Sequence, residues 1–197
     1  MLGTLNRDLK KLLDREPGPD EKRFRNVFLL DDFSGSGISY IRKANNPPYE
    51  GKIATFYYDY CSDKPKTNLI DPKDVHVYLI LYVATTHALD HLKEFGSGLF
   101  GTIPFDVKAV NLLTDASRIH EQNDNAFIAL SRKYYDDSIQ IPSYLRGKHE
   151  KPYLGFDECA LPLVLSHNTP NNSVTLLWLE ENRKYRGLFP RISRFTT

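Results

Sequence analysis

Apolar and polar positions follow a rhythm that changes several times along the chain, and each change marks an expected element. Leu5, Leu9, Leu12 and Leu13 recur at helical spacing through Leu5 to Arg15, a stripe that ends before Pro17-Gly18-Pro19. This predicts an amphipathic helix and breaker over residues 1–19, ahead of one α/β domain over residues 20–197. Val27-Phe28-Leu29-Leu30 is apolar at every position, which predicts a strand buried on both faces of a parallel sheet. It runs into Asp31-Asp32-Phe33-Ser34-Gly35-Ser36-Gly37, and Ile38 to Lys43 is expected to continue as a helix stopped by Asn45-Asn46-Pro47-Pro48.

Ile53 to Tyr60 is rich in aromatics and reads as a strand, and Cys61 to Asp74 reads as a polar connection. Val75 to Thr85 carries the strongest strand pattern, and His87 to Phe95, with Leu89 and Leu92 on one side, reads as a crossover helix. A strand over Val107 to Leu113, a helix around Asn125 to Tyr135 and a last buried strand over Ala160 to Leu165 complete the alternation. Such an order predicts an open, mostly parallel sheet with helices on both faces.

Composition narrows the class. Hydrophobic residues at 41% and charged residues at 26% are globular values and exclude a disordered chain. With 26 Lys plus Arg against 25 Asp plus Glu, the net charge is +1, so there is no global basic field to attract nucleic acid. Cys61 and Cys159 are the two cysteines and form no C-x-x-C pattern, which argues against a disulfide scaffold or zinc site and for a reducing, cytoplasmic setting. The longest apolar run, Val77 to Ala84, is well short of the roughly 18 residues a bilayer demands, so no membrane contact is expected.

Two polar clusters fall at strand ends, where open α/β sheets bind ligands. In the first, Gly35, Ser36 and Gly37 allow close approach of the backbone to an anion, and Ser36 and Ser39 add hydroxyl donors. The adjacent Asp31 and Asp32 suit a sugar's vicinal hydroxyls or a hydrated divalent cation. A sugar phosphate satisfies both halves; the alternative is a strand-to-helix turn in which a serine caps the helix and the acids are solvated. In the second cluster, His167, Asn168, Asn171 and Asn172 carry groups able to read a nucleobase edge or orient a ribose, or to satisfy the backbone of their own loop. Arg191 could pair with a phosphate or serve as a surface salt-bridge partner.

Val27 to Ser39 resembles the phosphoribosyl-pyrophosphate motif of type I phosphoribosyltransferases: four apolar residues, two acids, then a small-residue loop. The resemblance implies that Asp31 and Asp32 contact ribose hydroxyls and Mg²⁺ in a catalytic role, and that Gly35 to Ser39 hold the 5′-phosphate. Ile38 stands where the family usually has a polar residue, and Gly35 where purine-salvage members have an acid, so no general base is inherited. The stretch Ala160 to Ser173, with Leu176-Leu177-Trp178 and Leu188-Phe189-Pro190-Arg191, is similar to the C-terminal part of phosphoribosyltransferase-like proteins of bacterial conflict and antiphage systems, some of which accompany retron reverse transcriptases. The resemblance implies a defence effector or accessory subunit that binds a ribose 5-phosphate compound and acts at its anomeric carbon. The alternative is a non-enzymatic sensor or interaction subunit with a degenerate nucleotide pocket.

Only 26 residues precede Val27, so the pyrophosphate loop, its strand and the base-covering hood expected of the family have no counterpart. This leads to the expectation of a longer or split polypeptide, of a partner or second copy that completes the sheet, including a reverse transcriptase ribonucleoprotein, or of binding without transfer. Gly96-Ser97-Gly98-Leu99-Phe100-Gly101 matches G-x-G-x-x-G but follows a helix pattern and reads as a loop. His87 and His91, four apart, lack a third metal ligand.

Overall fold

The computed structural model describes residues 2–16, 18, 21, 24–64, 70–71, 73–135, 150–179 and 186–190. In chain order the helices and strands are α1 (Leu2–Leu13), β1 (Asn26–Ser34), β2 (Arg42–Lys43), β3 (Tyr49–Glu50), α2 (Lys52–Tyr60), β4 (His76–Thr85), α3 (Thr86–Phe100), β5 (Phe105–Leu113), α4 (Asn125–Tyr134) and α5 (Thr175–Trp178). A parallel sheet in the order β1-β4-β5 gives the α/β class its alternation predicts, with α3 as the crossover between the last two strands. No described helix is long and apolar enough to cross a membrane.

Two compact units divide the chain. The first comprises Met1–Asp32, Gly37–Tyr82 and Leu89–Val110, and the second comprises Phe33–Ser36, Val83–Ala88 and Asn111–Thr197.

The first unit holds most of each sheet strand. On β4 the side chains of Val77, Leu79 and Leu81 are buried, joined in the core by Ile41, Ile53 and Leu92. Burial of each such side chain contributes roughly 1.5–3 kcal/mol. The expected burial of β1 on both faces is not found: its positions alternate between exposed and half-buried, with Phe28 57% and Leu30 72% exposed. An unbroken apolar run does not by itself distinguish one buried face from two. Tyr82 and Val110 share this exposure, while Phe28 stacks on Tyr78 with ring centroids 4.8 Å apart and Tyr78 stacks on His76 at 4.1 Å.

Two expected elements are replaced. Ile38 to Lys43 forms no helix: after a turn at Gly37, with φ of +78°, β2 and β3 pair antiparallel, Arg42 opposite Glu50 and Lys43 opposite Tyr49. The Asn45 to Pro48 segment is the turn of that hairpin, not a helix stop, and Ala44 N donates to Pro48 O at 2.9 Å. Conversely, Ile53 to Tyr60 is helix α2 and not a strand. Ile53, Ala54 and Cys61 are buried and the Tyr57 ring meets Phe100 edge-on at 5.4 Å, a helical spacing that the aromatic composition obscured. Gly51 precedes this helix with φ of +119°, where a Cβ would lie 2.4 Å from Tyr40 O.

The second unit is built around α4, α5 and two short 3₁₀ turns, Pro152–Leu154 and Phe156–Glu158. Ile128, Tyr153, Leu154 and Ala160 form its buried cluster, with Ile119 and Tyr135 against them. Ser131 and Thr175 both donate to Tyr153 O, at 2.9 and 3.0 Å. Ala160 to Leu165 is not the strand expected: it makes isolated bridges, Leu161 with Ser173 and Leu165 with Asn168. Ala160 has a positive φ of 51° and Pro162 carries no N–H, so a continuous ladder cannot form.

Candidate functional site

The first unit presents Asp31 near the end of β1 with two partners supplied by later elements. Tyr40 donates its hydroxyl to Asp31 Oδ2 at 2.7 Å, and Lys52, the first residue of α2, forms an ion pair with the same oxygen. Partial burial pushes the Asp31 pKa up, but hydrogen bonds from Lys52, Tyr40 and the Asp32 N–H outweigh it and hold the carboxyl at about 2. Burial, reinforced by Asp31, raises the Tyr40 pKa above the usual phenol range, so Tyr40 stays a donor. The Lys52 ammonium also lies 4.7 Å from the Tyr40 ring centroid. Asp32 is exposed, and adjacent strand positions direct the two acids to opposite faces of β1.

In the second unit, Ser34, Gly35 and Ser36 are buried. Thr85, at the end of β4, donates its hydroxyl to Gly35 O at 2.5 Å and accepts from Ala88 N at 3.0 Å, which caps α3. Asn172 fills the space beside Gly35, where a Cβ would stand 2.4 Å from Asn172 Cγ. Downstream of Gly37 the expected helix N-terminus is absent: Tyr40 N and Ile41 N both donate to Gly37 O, closing a single turn, and Ser39 is exposed beside it. An anion near this turn would therefore meet backbone amides without a helix behind them.

The second polar cluster divides. Asn172 turns its amide to Phe156 O and Cys159 Sγ, both at 3.3 Å, and Asn171 O accepts from Phe156 N at 2.7 Å. Asn168 Oδ1 accepts from Thr169 N at 2.9 Å, and His167 is exposed on the same Leu165 to Asn168 turn. Thus Asn172 is brought to Gly35, whereas Asn168 serves the backbone of its own loop. Arg191 lies outside the described residues. Cys159 is buried beside Asn172, and burial pushes its thiol up to about 11 against that hydrogen bond.

Tyr40, Lys52 and Thr85 were not singled out by sequence. Each is an ordinary residue whose partner lies 9, 21 or 50 positions away along the chain, so no local spacing marks it. Among the described residues no group of three His, Cys, Asp or Glu could hold a metal ion.

A parallel α/β sheet whose first strand ends in an acid pair and a small-residue turn has the organisation of a phosphoribosyltransferase-like protein. The chain belongs to the PRTase-CE family, whose model matches residues 4–191. No curated protein matches the chain, and no solved structure does.

Proposed function

We propose that this phosphoribosyltransferase-like chain binds a ribose 5-phosphate compound, phosphoribosyl pyrophosphate with Mg²⁺, and displaces a group at its anomeric carbon as an effector or accessory subunit of bacterial antiphage defence. The observation that carries the binding half is Asp31, held ionised near the end of β1 by Lys52 and Tyr40. An acceptor kept charged at neutral pH and held in fixed orientation suits the hydroxyls of a ribose. Gly35, Ser36, Gly37 and Ser39 would receive the 5′-phosphate. His167, Asn168, Asn171, Asn172 and Arg191 are the candidates for the base or pyrophosphate side, with Asn172 already committed to neighbouring groups. The defence role, and association with a reverse transcriptase ribonucleoprotein, rest on the resemblance.

Mg²⁺ binds through one or two carboxylates together with substrate phosphates. The exposed Asp32 suits such an ion, whereas Asp31 is neutralised by Lys52 and stands on the opposite face of the strand. When bound, the ion would neutralise charge on the leaving pyrophosphate. Orientation of the sugar falls to the chain's own residues, and that contribution lowers the barrier without a covalent intermediate.

A second reading is a non-enzymatic interaction or sensor subunit. The exposed side chains of Phe28, Leu30, Tyr82 and Val110 on the sheet favour it, because an apolar sheet surface commonly marks a protein contact. Thermal unfolding with and without phosphoribosyl pyrophosphate and Mg²⁺ separates the readings. Ligand at about 100 times its dissociation constant stabilises by roughly 2.7 kcal/mol. A shift in the unmutated chain that is lost in Asp31→Asn/Asp32→Asn supports the pocket, and no shift in a folded sample sinks it.

A further inference from the structure

We propose that Lys52 is the cationic partner of the 5′-phosphate and that it reaches the phosphate by leaving Asp31, so that one binding event frees the carboxylate for the ribose hydroxyls. The inference rests on the proposed binding of a ribose 5-phosphate compound and names the charge that the small-residue turn lacks. A phosphate monoester is an anion at neutral pH, and no cation stands among Gly37, Ile38 and Ser39. Asp31, Gly37 to Tyr40 and Lys52 all belong to the first unit.

Backbone contacts bring the lysine to that turn. Lys52 N donates to Ser39 O at 3.2 Å and Ile53 N to Tyr40 O at 2.9 Å, while Tyr40 N and Ile41 N close the turn onto Gly37 O. Gly51 permits this approach, since a Cβ there would lie 2.4 Å from Tyr40 O. Lys52 is thus joined to the exposed Ser39 through its backbone and to Asp31 through its ammonium. The cations of the β2-β3 hairpin face other partners: Arg42 pairs with Glu50 at 2.6 Å, and the Lys43 ammonium lies 5.7 Å from the Phe95 ring centroid.

The pair is built to exchange. The Lys52 side chain is 61% exposed and that of Asp31 28%, and an ion pair this open to water contributes little stability, because solvent screens the attraction. Lysine suits the change of partner, with three donors on a flexible four-carbon stem that needs no backbone movement to reach a second acceptor. The Tyr40 ring, 4.7 Å from the ammonium, gives the cation a contact independent of either anion. Asp31 keeps its charge and orientation after the lysine leaves: the Tyr40 hydroxyl still donates to Oδ2 at 2.7 Å and the Asp32 N–H to Oδ1 at 3.0 Å. The lone pair that Lys52 vacates on Oδ2 is then the acceptor for a sugar hydroxyl.

Lys52 opens α2, whose first turn holds no acid, so in the unliganded chain it is Asp31, from β1, that balances the cation. A phosphate takes over that balance, and recognition of the two ends of the ligand becomes coupled. A sugar without phosphate leaves Asp31 engaged, and a phosphate without sugar must compete with Asp31 for the lysine. The pair therefore selects a molecule that carries both.

The test titrates inorganic phosphate, ribose 5-phosphate and phosphoribosyl pyrophosphate with Mg²⁺ into the unmutated chain, Lys52→Gln, Lys52→Arg and Asp31→Asn, each first shown to be folded by its unfolding transition. Lys52→Gln is expected to weaken all three ligands about tenfold, as loss of one charge-assisted contact does, and Lys52→Arg to restore most of the affinity. Asp31→Asn should act the other way on inorganic phosphate, which binds about two- to fivefold more tightly once the exposed ion pair no longer competes. A pair with a merely structural role would move phosphate affinity in the same direction from either side. Inorganic phosphate that fails to bind the unmutated chain while phosphoribosyl pyrophosphate binds, that binds Lys52→Gln equally, or that binds Asp31→Asn no more tightly overturns the exchange and leaves the binding proposal standing. A loss in Lys52→Gln confined to phosphoribosyl pyrophosphate moves the lysine to the pyrophosphate and overturns the assignment as well. Absence of binding by any of the three in the folded unmutated chain overturns the binding proposal and this inference with it.

Discussion

Asn172 occupies the space that a side chain at Gly35 would need: a Cβ on Gly35 would lie 2.4 Å from Asn172 Cγ and 2.7 Å from its Cβ. The small-residue turn after β1 and the Asn-rich loop near the C-terminal end of the chain are therefore two walls of one packed contact. The Asn172 amide is fixed by Phe156 O and Cys159 Sγ, so it cannot swing aside without losing hydrogen bonds.

Gly35→Ala is expected to destabilise the chain by about 1–3 kcal/mol through overpacking. Asn172→Ala in the same chain should recover part of that loss, giving a non-additive double-mutant cycle. Urea unfolding of the four proteins measures the coupling; additive effects would contradict the contact.

The Asp31 carboxyl makes stability depend on acid. Its folded pKa of about 2 lies below the ordinary aspartate value of 3.8, so between these values the unfolded chain binds more protons than the folded one. The contribution of Asp31 is present above pH 3.8 and is lost as pH falls toward 2. The stability difference between the unmutated chain and Asp31→Asn should accordingly be constant near neutral pH and shrink across that acid window. A difference that stays flat down to pH 2 would show that Lys52 and Tyr40 do not hold the charge.

Much of the fold was legible because one element at a time declared itself. The β4 run from Val77 to Val83 and the leucine spacing of α1 needed no distant information. The failures share a cause: β1, α2 and the β2-β3 hairpin have local patterns compatible with two structures, and tertiary contacts decide. Aromatics at Tyr57, Tyr58 and Tyr60 suggested a strand, yet burial of Ile53, Ala54 and Cys61 selects a helix. The candidate site was legible as two sequence clusters. That Gly35 and Asn172 would touch, and that Lys52 and Tyr40 would converge on Asp31, depends on chain crossings that no local spacing records.

The sheet gives a contrast between two leucines. Leu81→Ala, with the side chain fully buried, should cost about 2–5 kcal/mol through transfer and cavity terms. Leu30→Ser, where 72% of the residue is exposed, should stay within about 0.5 kcal/mol of the unmutated chain. Chemical denaturation measures both, and a large loss at Leu30 would mean that its face is covered.

Cys61 and Cys159 are both buried, and burial pushes each thiol up to about 11. Neither should react appreciably with an alkylating reagent at pH 7 in the folded chain, since the thiolate is the nucleophile. Mass spectrometry after timed labelling should show modification only as denaturant unfolds the protein; fast labelling of Cys159 in buffer would contradict the closed packing around Asn172.

The most direct measurement is a calorimetric titration of phosphoribosyl pyrophosphate with Mg²⁺ into the purified chain and into Asp31→Asn/Asp32→Asn, each first shown to be folded by its unfolding transition. Saturable binding by the unmutated chain that falls at least tenfold in the variant is the predicted result. Equal binding by the two proteins, or no heat of binding in a folded unmutated chain, would contradict the assignment of the ribose site to the end of β1.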